Sequence, residues 1–112
     1  MQAVHYPGLE TSSGHEIAAA QQSGSGFVLS FQLAGGKAAA DRFVGALALI
    51  TLASSLGGFS TLICTPATMT HRGMPPEAQR EAGIAPDLLR LSVGLEDCAD
   101  LIGDLERGFA AL

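Results

Sequence analysis

An α+β fold, built as a small, largely antiparallel sheet with helices packed on one face, follows from three observations. Short β-forming segments at 27–33, 61–64 and 88–93 interleave with helix-forming segments. The last segment is a clear amphipathic helix, with Cys98, Leu101, Ile102, Leu105 and Phe109 at three-and-four spacing. The connections around Ser55 are too short for parallel crossovers, which need a dozen or more residues. The chain has 112 residues, 47% of them hydrophobic and 15% charged, which makes residues 1–112 one domain with a real core.

Val4, His5 and Tyr6 form a short strand stopped by Pro7-Gly8. A helix over 15–22 follows the capping residues Thr11, Ser12 and Ser13 and ends at Ser23-Gly24. In the strand at 27–33, Phe27, Leu29, Phe31 and Leu33 share one face, while Ser30 and Gln32 share the other. A helix over 37–47 turns Phe43, Ala46 and Leu47 toward the sheet. Residues 48–53 are ambiguous by pattern, with Ile50, Thr51 and Leu52 tilting them toward a strand. Ser54-Ser55-Leu56-Gly57-Gly58 is a loop whose glycines allow tight geometry. Thr61 to Cys64 is a second strand, ended by Pro66. Pro76 starts a short helix over 76–82 that Gly83 ends. The third strand, 88–93, leads into the last helix, where Glu96, Asp97 and Asp100 place negative charge at the helix start.

Several function classes are excluded at this level. A net charge of -5 and six scattered basic residues leave no stripe for a phosphate backbone. Tryptophan is absent, so a base-stacking platform is not expected. The longest apolar stretch, 43–56, is too short and broken to span a bilayer. No signal-peptide pattern stands at Met1, and the simplest setting is the cytosol. Cys64 and Cys98 lie in apolar stretches and read as buried free thiols. His5, His15 and His71 share no metal-ligand spacing with them. The acidic group Glu96, Asp97, Asp100, Asp104 and Glu106 reads as a capped, solvated helix face.

Arg90 stands out. It lies in the run Leu88-Leu89-Arg90-Leu91-Ser92-Val93-Gly94-Leu95-Glu96-Asp97, where a cation among leucines requires an anion. Taken alone, that anion is most simply a structural carboxylate. Three further segments accompany the run: Val4-His5-Tyr6-Pro7-Gly8-Leu9, Leu29-Ser30-Phe31, and Ser55-Leu56-Gly57-Gly58 with the later Pro66-Ala67-Thr68-Met69-Thr70-His71. In this order and spacing they resemble the smaller, C-terminal domain of the Cys/Met-metabolism enzymes that depend on pyridoxal phosphate. That family includes cystathionine γ-synthase, cystathionine γ-lyase, methionine γ-lyase and O-acylhomoserine sulfhydrylases.

The resemblance implies that Arg90 grips the α-carboxylate of an amino-acid substrate, with Ser55 beside it, Thr70 supporting the arginine, and Ser54 at a position linked to reaction preference. A planar guanidinium suits such a carboxylate because it can donate two parallel charge-assisted hydrogen bonds. The chain departs from the family where Phe59-Ser60-Thr61 lacks a common glutamate, where Thr65 replaces a histidine, and at Gly26-Phe27. The lysine that holds the cofactor is also missing, since Lys37 is the only lysine and stands at a helix start.

The resemblance thus implies one domain of a trans-sulfuration enzyme acting by γ- or β-elimination or replacement. Its substrates would be a sulfur amino acid or an activated homoserine. A larger domain would bear pyridoxal phosphate, and this chain alone would be silent with no cofactor bound covalently. The alternative is an autonomous interaction or oligomerisation module that docks on a separate cofactor-bearing partner or on itself.

Overall fold

The computed structural model describes residues 1–112. In chain order the elements are β1 (Ala3–His5), α1 (His15–Gln21), β2 (Val28–Gln32), α2 (Gly36–Ala46), β3 (Thr51–Leu52), β4 (Leu62–Cys64), α3 (Pro76–Glu81), β5 (Leu88–Ser92) and α4 (Cys98–Ala110). The five strands form one sheet in the order β1-β2-β5-β4-β3. The pairs β1–β2, β2–β5 and β4–β5 are antiparallel, as the sequence predicts.

The pair β3–β4 is parallel, against the expectation drawn from the short connection at 53–61. A full crossover helix is needed only where two long strands must be matched. Here β3 contributes two exposed residues at the sheet edge, Thr51 beside Leu62 and Leu52 beside Ile63, and an irregular loop suffices to return the chain.

The core lies between one sheet face and the helices α2 and α4. Phe31, Leu33, Ile63, Leu89 and Leu91 meet Ala39, Ala40, Phe43 and Leu101 there. Alternation of side chains along a strand explains the selection: Leu89 and Leu91 face the helices, so Arg90 between them faces away. Phe31, Phe43 and Phe109 bring β2, α2 and α4 together, with ring centroids 5.0 Å apart for Phe43–Phe109 and 5.6 Å for Phe31–Phe43. The two helices approach closely at Gly108, where a Cβ would stand 2.7 Å from the Phe43 ring.

The helices α1 and α3 contribute no buried residue. No helix is long and apolar enough to cross a membrane. No group of three or more His, Cys, Asp or Glu side chains converges to hold a metal.

Three local expectations are corrected. Cys64 is buried, but Cys98 is exposed, because it opens the first turn of α4 where the sheet does not reach. Phe27 precedes β2 and is half exposed, so it does not share the buried face of Phe31. On α4 the buried residues are Leu101, Asp104 and Gly108, whereas Ile102 is half exposed. The acidic group is therefore not one solvated face. Asp97 caps α4 by accepting from the amides of Ala99 and Asp100, as the sequence predicts, while Asp104 points into the protein.

Candidate functional site

Arg90 sits in the middle of β5, in register with Ser30 of β2 and Cys64 of β4. Side chains in register share a sheet face, so these three project together from the side opposite the α2–α4 core. Arg90 is half-buried. Its Nη2 donates to the carbonyl oxygens of Ser54 at 3.0 Å and Ser55 at 3.2 Å. Its Nε is buried and has no partner. No carboxylate lies within 4.0 Å of it, since the three ion pairs of the chain are Lys37–Asp41, Arg80–Glu77 and Arg107–Asp104. A guanidinium with an orphaned buried donor and no acid partner is a costly arrangement for structure alone. Burial pushes the Cys64 thiol up from its ordinary pKa, and the adjacent Arg90 charge opposes that rise.

The four residues singled out by the sequence are not equally assembled. Ser54 and Ser55 are brought onto Arg90, through their carbonyls rather than through the Ser55 hydroxyl or N–H. Both serines are exposed. The Thr70 hydroxyl bonds Nδ1 of His71 at 2.8 Å, and no hydrogen bond joins it to Arg90. Gly57 adopts a positive φ of 76°, the left-handed turn conformation that glycine takes at no steric cost. The loop then forms one wall of an apolar cleft of about 590 Å³, lined among others by Phe27, Leu29, Phe59, Val93 and Leu95.

Two acids that sequence reasoning set aside as solvated hold this loop. Asp104 accepts from three consecutive amides, Ala48 and Ile50 at 2.8 Å and Leu49 at 2.9 Å, and from Arg107 at 3.3 Å. Burial acts to raise its pKa, but the amides of Ile50, Ala48 and Leu49 and the Arg107 charge outweigh it, and the carboxyl is held below the usual range. Glu96 accepts from the Thr61 hydroxyl at 2.6 Å and the Thr61 amide at 2.7 Å, and these bonds lower its pKa. One signal for Asp104 was present in the sequence: it falls on the three-and-four stripe of Leu101, Leu105 and Gly108, where a solvated acid does not belong.

Lys37 is on the other side of the sheet. Its Nζ is 2.6 Å from Asp41, one turn along α2, and α2 packs on the core face that Arg90 turns away from. No lysine of this chain therefore fits as an aldehyde anchor for pyridoxal phosphate beside Arg90.

Residues 1–110 match the family described as Cys/Met metabolism PLP-dependent enzyme. The chain is 56% identical over 108 residues to cystathionine gamma-synthase of Escherichia coli (strain K12), covering 96% of this chain and 28% of that protein. It is 46% identical over 109 residues to O-succinylhomoserine sulfhydrylase of Pseudomonas aeruginosa, covering 97% and 27%. Among solved structures it resembles cystathionine gamma-lyase from Lactobacillus plantarum complexed with L-serine, with a TM-score of 0.92 and 43% identity over 98% of this chain and 29% of that one. It likewise resembles cystathionine gamma synthase from Xanthomonas oryzae pv. oryzae in complex with cystathionine, with a TM-score of 0.91 and 50% identity over 99% and 30%. The chain spans less than a third of the length of these relatives. This chain thus carries an arginine without an acid partner and no lysine beside it, and it belongs to the Cys/Met-metabolism family of PLP-dependent enzymes.

Proposed function

We propose that this chain is the C-terminal domain of a cytoplasmic trans-sulfuration enzyme and supplies the site for the substrate α-carboxylate. The observation that carries this reading is Arg90, half-buried, without an acid partner, and with a buried Nε that no protein group satisfies. The carbonyls of Ser54 and Ser55 hold one edge of the guanidinium, and Nη1 has no hydrogen-bond partner within the chain. A substrate carboxylate arriving there would accept charge-assisted bonds and complete the charge balance of the site. The exposed hydroxyls of Ser54 and Ser55 make no hydrogen bonds within the chain and remain available to the rest of the substrate. Thr70, which bonds His71, makes no hydrogen bond to Arg90 within the chain, and its supporting role rests on the resemblance alone.

On this reading the substrate is a sulfur amino acid such as cystathionine or methionine, or an activated homoserine. The bond chemistry, elimination or replacement, belongs to a larger domain that bears pyridoxal phosphate, and this chain alone is inactive. The test is Arg90→Lys in a full-length enzyme carrying this domain. KM for the amino acid should rise by about tenfold or more, since an ammonium cannot give the planar two-bond clasp. Cofactor absorbance should stay unchanged. Equal loss of cofactor would remove the assignment.

A second reading, docking on a separate cofactor-bearing partner or on a second copy, is favoured by the apolar cleft. Phe59 is 79% exposed and Leu95 86% exposed at its rim, more than an isolated small domain needs to show. Light scattering over a concentration series separates the two: a strict monomer without affinity for the larger domain would count against docking.

A further inference from the structure

We propose that Glu96 and Asp104 are positioning residues for the Arg90 site: they clamp the two ends of the loop whose carbonyls hold the guanidinium. This rests on the reading of Arg90 as a carboxylate binder, and it adds two residues that touch neither Arg90 nor any substrate. The problem they solve is local. Ser54 and Ser55 lie in an exposed, irregular segment, and a carbonyl on such a segment is a poor fixed point for an arginine. Yet Arg90 uses two such carbonyls and little else.

The fixing comes from outside the segment. On its N-terminal side, Asp104 gathers the amides of Ala48, Leu49 and Ile50 onto one buried carboxylate. On its C-terminal side, Glu96 takes both the amide and the hydroxyl of Thr61, and the same hydroxyl accepts from the Gly94 amide at 2.8 Å. Between these ends, Ser92 Oγ accepts from the Gly57 amide at 2.9 Å, and the Leu95 amide donates to the Phe59 carbonyl at 2.8 Å. Gly94 lies against the backbone at 59–61 so closely that a Cβ there would stand 2.4 Å from the Phe59 carbonyl oxygen.

Every one of these holding groups belongs to the single stretch from β5 into α4, and so does Arg90 itself. The stretch that presents the guanidinium also holds the flanks of the loop whose carbonyls orient it, together with the Ala53 amide's bond to the Ile63 carbonyl of β4 at 2.9 Å. Two acceptor oxygens are needed at each clamp, which is why an amide side chain cannot fully replace either acid.

The experiment uses the 112-residue chain and nuclear magnetic resonance, with Asp104→Asn, Glu96→Gln and the core variant Phe43→Leu. Without any ligand, the amides of Ala53 and Gly57, which bracket the two serines, should exchange with solvent about tenfold faster in each clamp variant. The Arg90 Nε–H signal should shift in both. With acetate as probe, binding at Arg90 should weaken by about three- to tenfold, because preorganisation is lost. Phe43→Leu lowers stability from the opposite face and should leave the Arg90 signal and both exchange rates unchanged at matched folded fraction.

Unchanged exchange and an unchanged Arg90 signal in Glu96→Gln, the variant at the less buried clamp, would overturn the proposal. So would an equal response in Phe43→Leu, which would mark the effect as general destabilisation. Loosening of the loop in the clamp variants, with no acetate bound at Arg90 even in the unaltered chain, would support the clamp and instead remove the carboxylate reading.

Discussion

At the residue scale, a β-strand gave Arg90 its direction and the loop gave it an orientation, but nothing in the chain gave it a counter-charge. Leu89 and Leu91 commit β5 to the core, and the alternation of the strand then leaves Arg90 no choice of face. In a full-length enzyme, Arg90→Ala should cost about 2–5 kcal/mol in kcat/KM, because a substrate carboxylate in a closed site would lose its partner. Steady-state kinetics on the full-length variant measure this, and a loss confined to kcat at saturating substrate, with KM unchanged, would point elsewhere. That Arg90 needs an anion was legible in the leucine run, but the run alone favours a structural carboxylate, and the substrate reading came from the family resemblance. Asp104 was legible only in its place on the apolar stripe of α4, because the amides it binds lie more than fifty positions away along the chain.

The two clamp acids also set a pH dependence. Both Glu96 and Asp104 have carboxyls held below their ordinary range in the folded chain. The unfolded chain therefore binds protons more readily than the folded one. Their contribution to stability is complete above the ordinary carboxylate pKa near 4 and is lost as pH falls through the lower folded values. Thermal unfolding followed from pH 7 downward should show a plateau and then a decline below about pH 4. In Asp104→Asn that acid-induced decline should be shallower than in the unaltered chain, and an equal slope would contradict the assignment.

At the scale of elements, β5 and α4 were the most readable parts, since each carries a strong period, two in the strand and three-to-four in the helix. The parallel pairing of β3 with β4 was unreadable, because a strand of two exposed residues has no period to detect. Two close approaches should behave differently on substitution. Gly108→Ala inserts a methyl against the Phe43 ring and should destabilise the α2–α4 contact by about 1–3 kcal/mol, read by denaturant unfolding, without moving the Arg90 signals. Gly94→Ala meets backbone rather than a ring and should displace the 59–61 segment, so that loop amides exchange faster. Had the clamp been unimportant, these two variants would differ only in stability.

At the scale of the whole molecule, the fold divides its two sheet faces between two tasks. One face, with α2 and α4, supplies the core. The other presents Arg90, Ser30 and Cys64 in register. The sole lysine stands behind the first face, paired with Asp41, so no lysine shares the face that presents Arg90. That division agrees with a chain spanning less than a third of its relatives' length.

The most direct measurement is an acetate titration of the 112-residue chain, followed at the Arg90 Nε–H by nuclear magnetic resonance with chloride at matched ionic strength as control. A saturable shift centred on Arg90 and on the amides from Ser54 to Gly57, lost in Arg90→Lys, is the expected result. A response spread over the surface arginines alone, or identical with chloride, would contradict the claim that Arg90 is built to clasp a carboxylate.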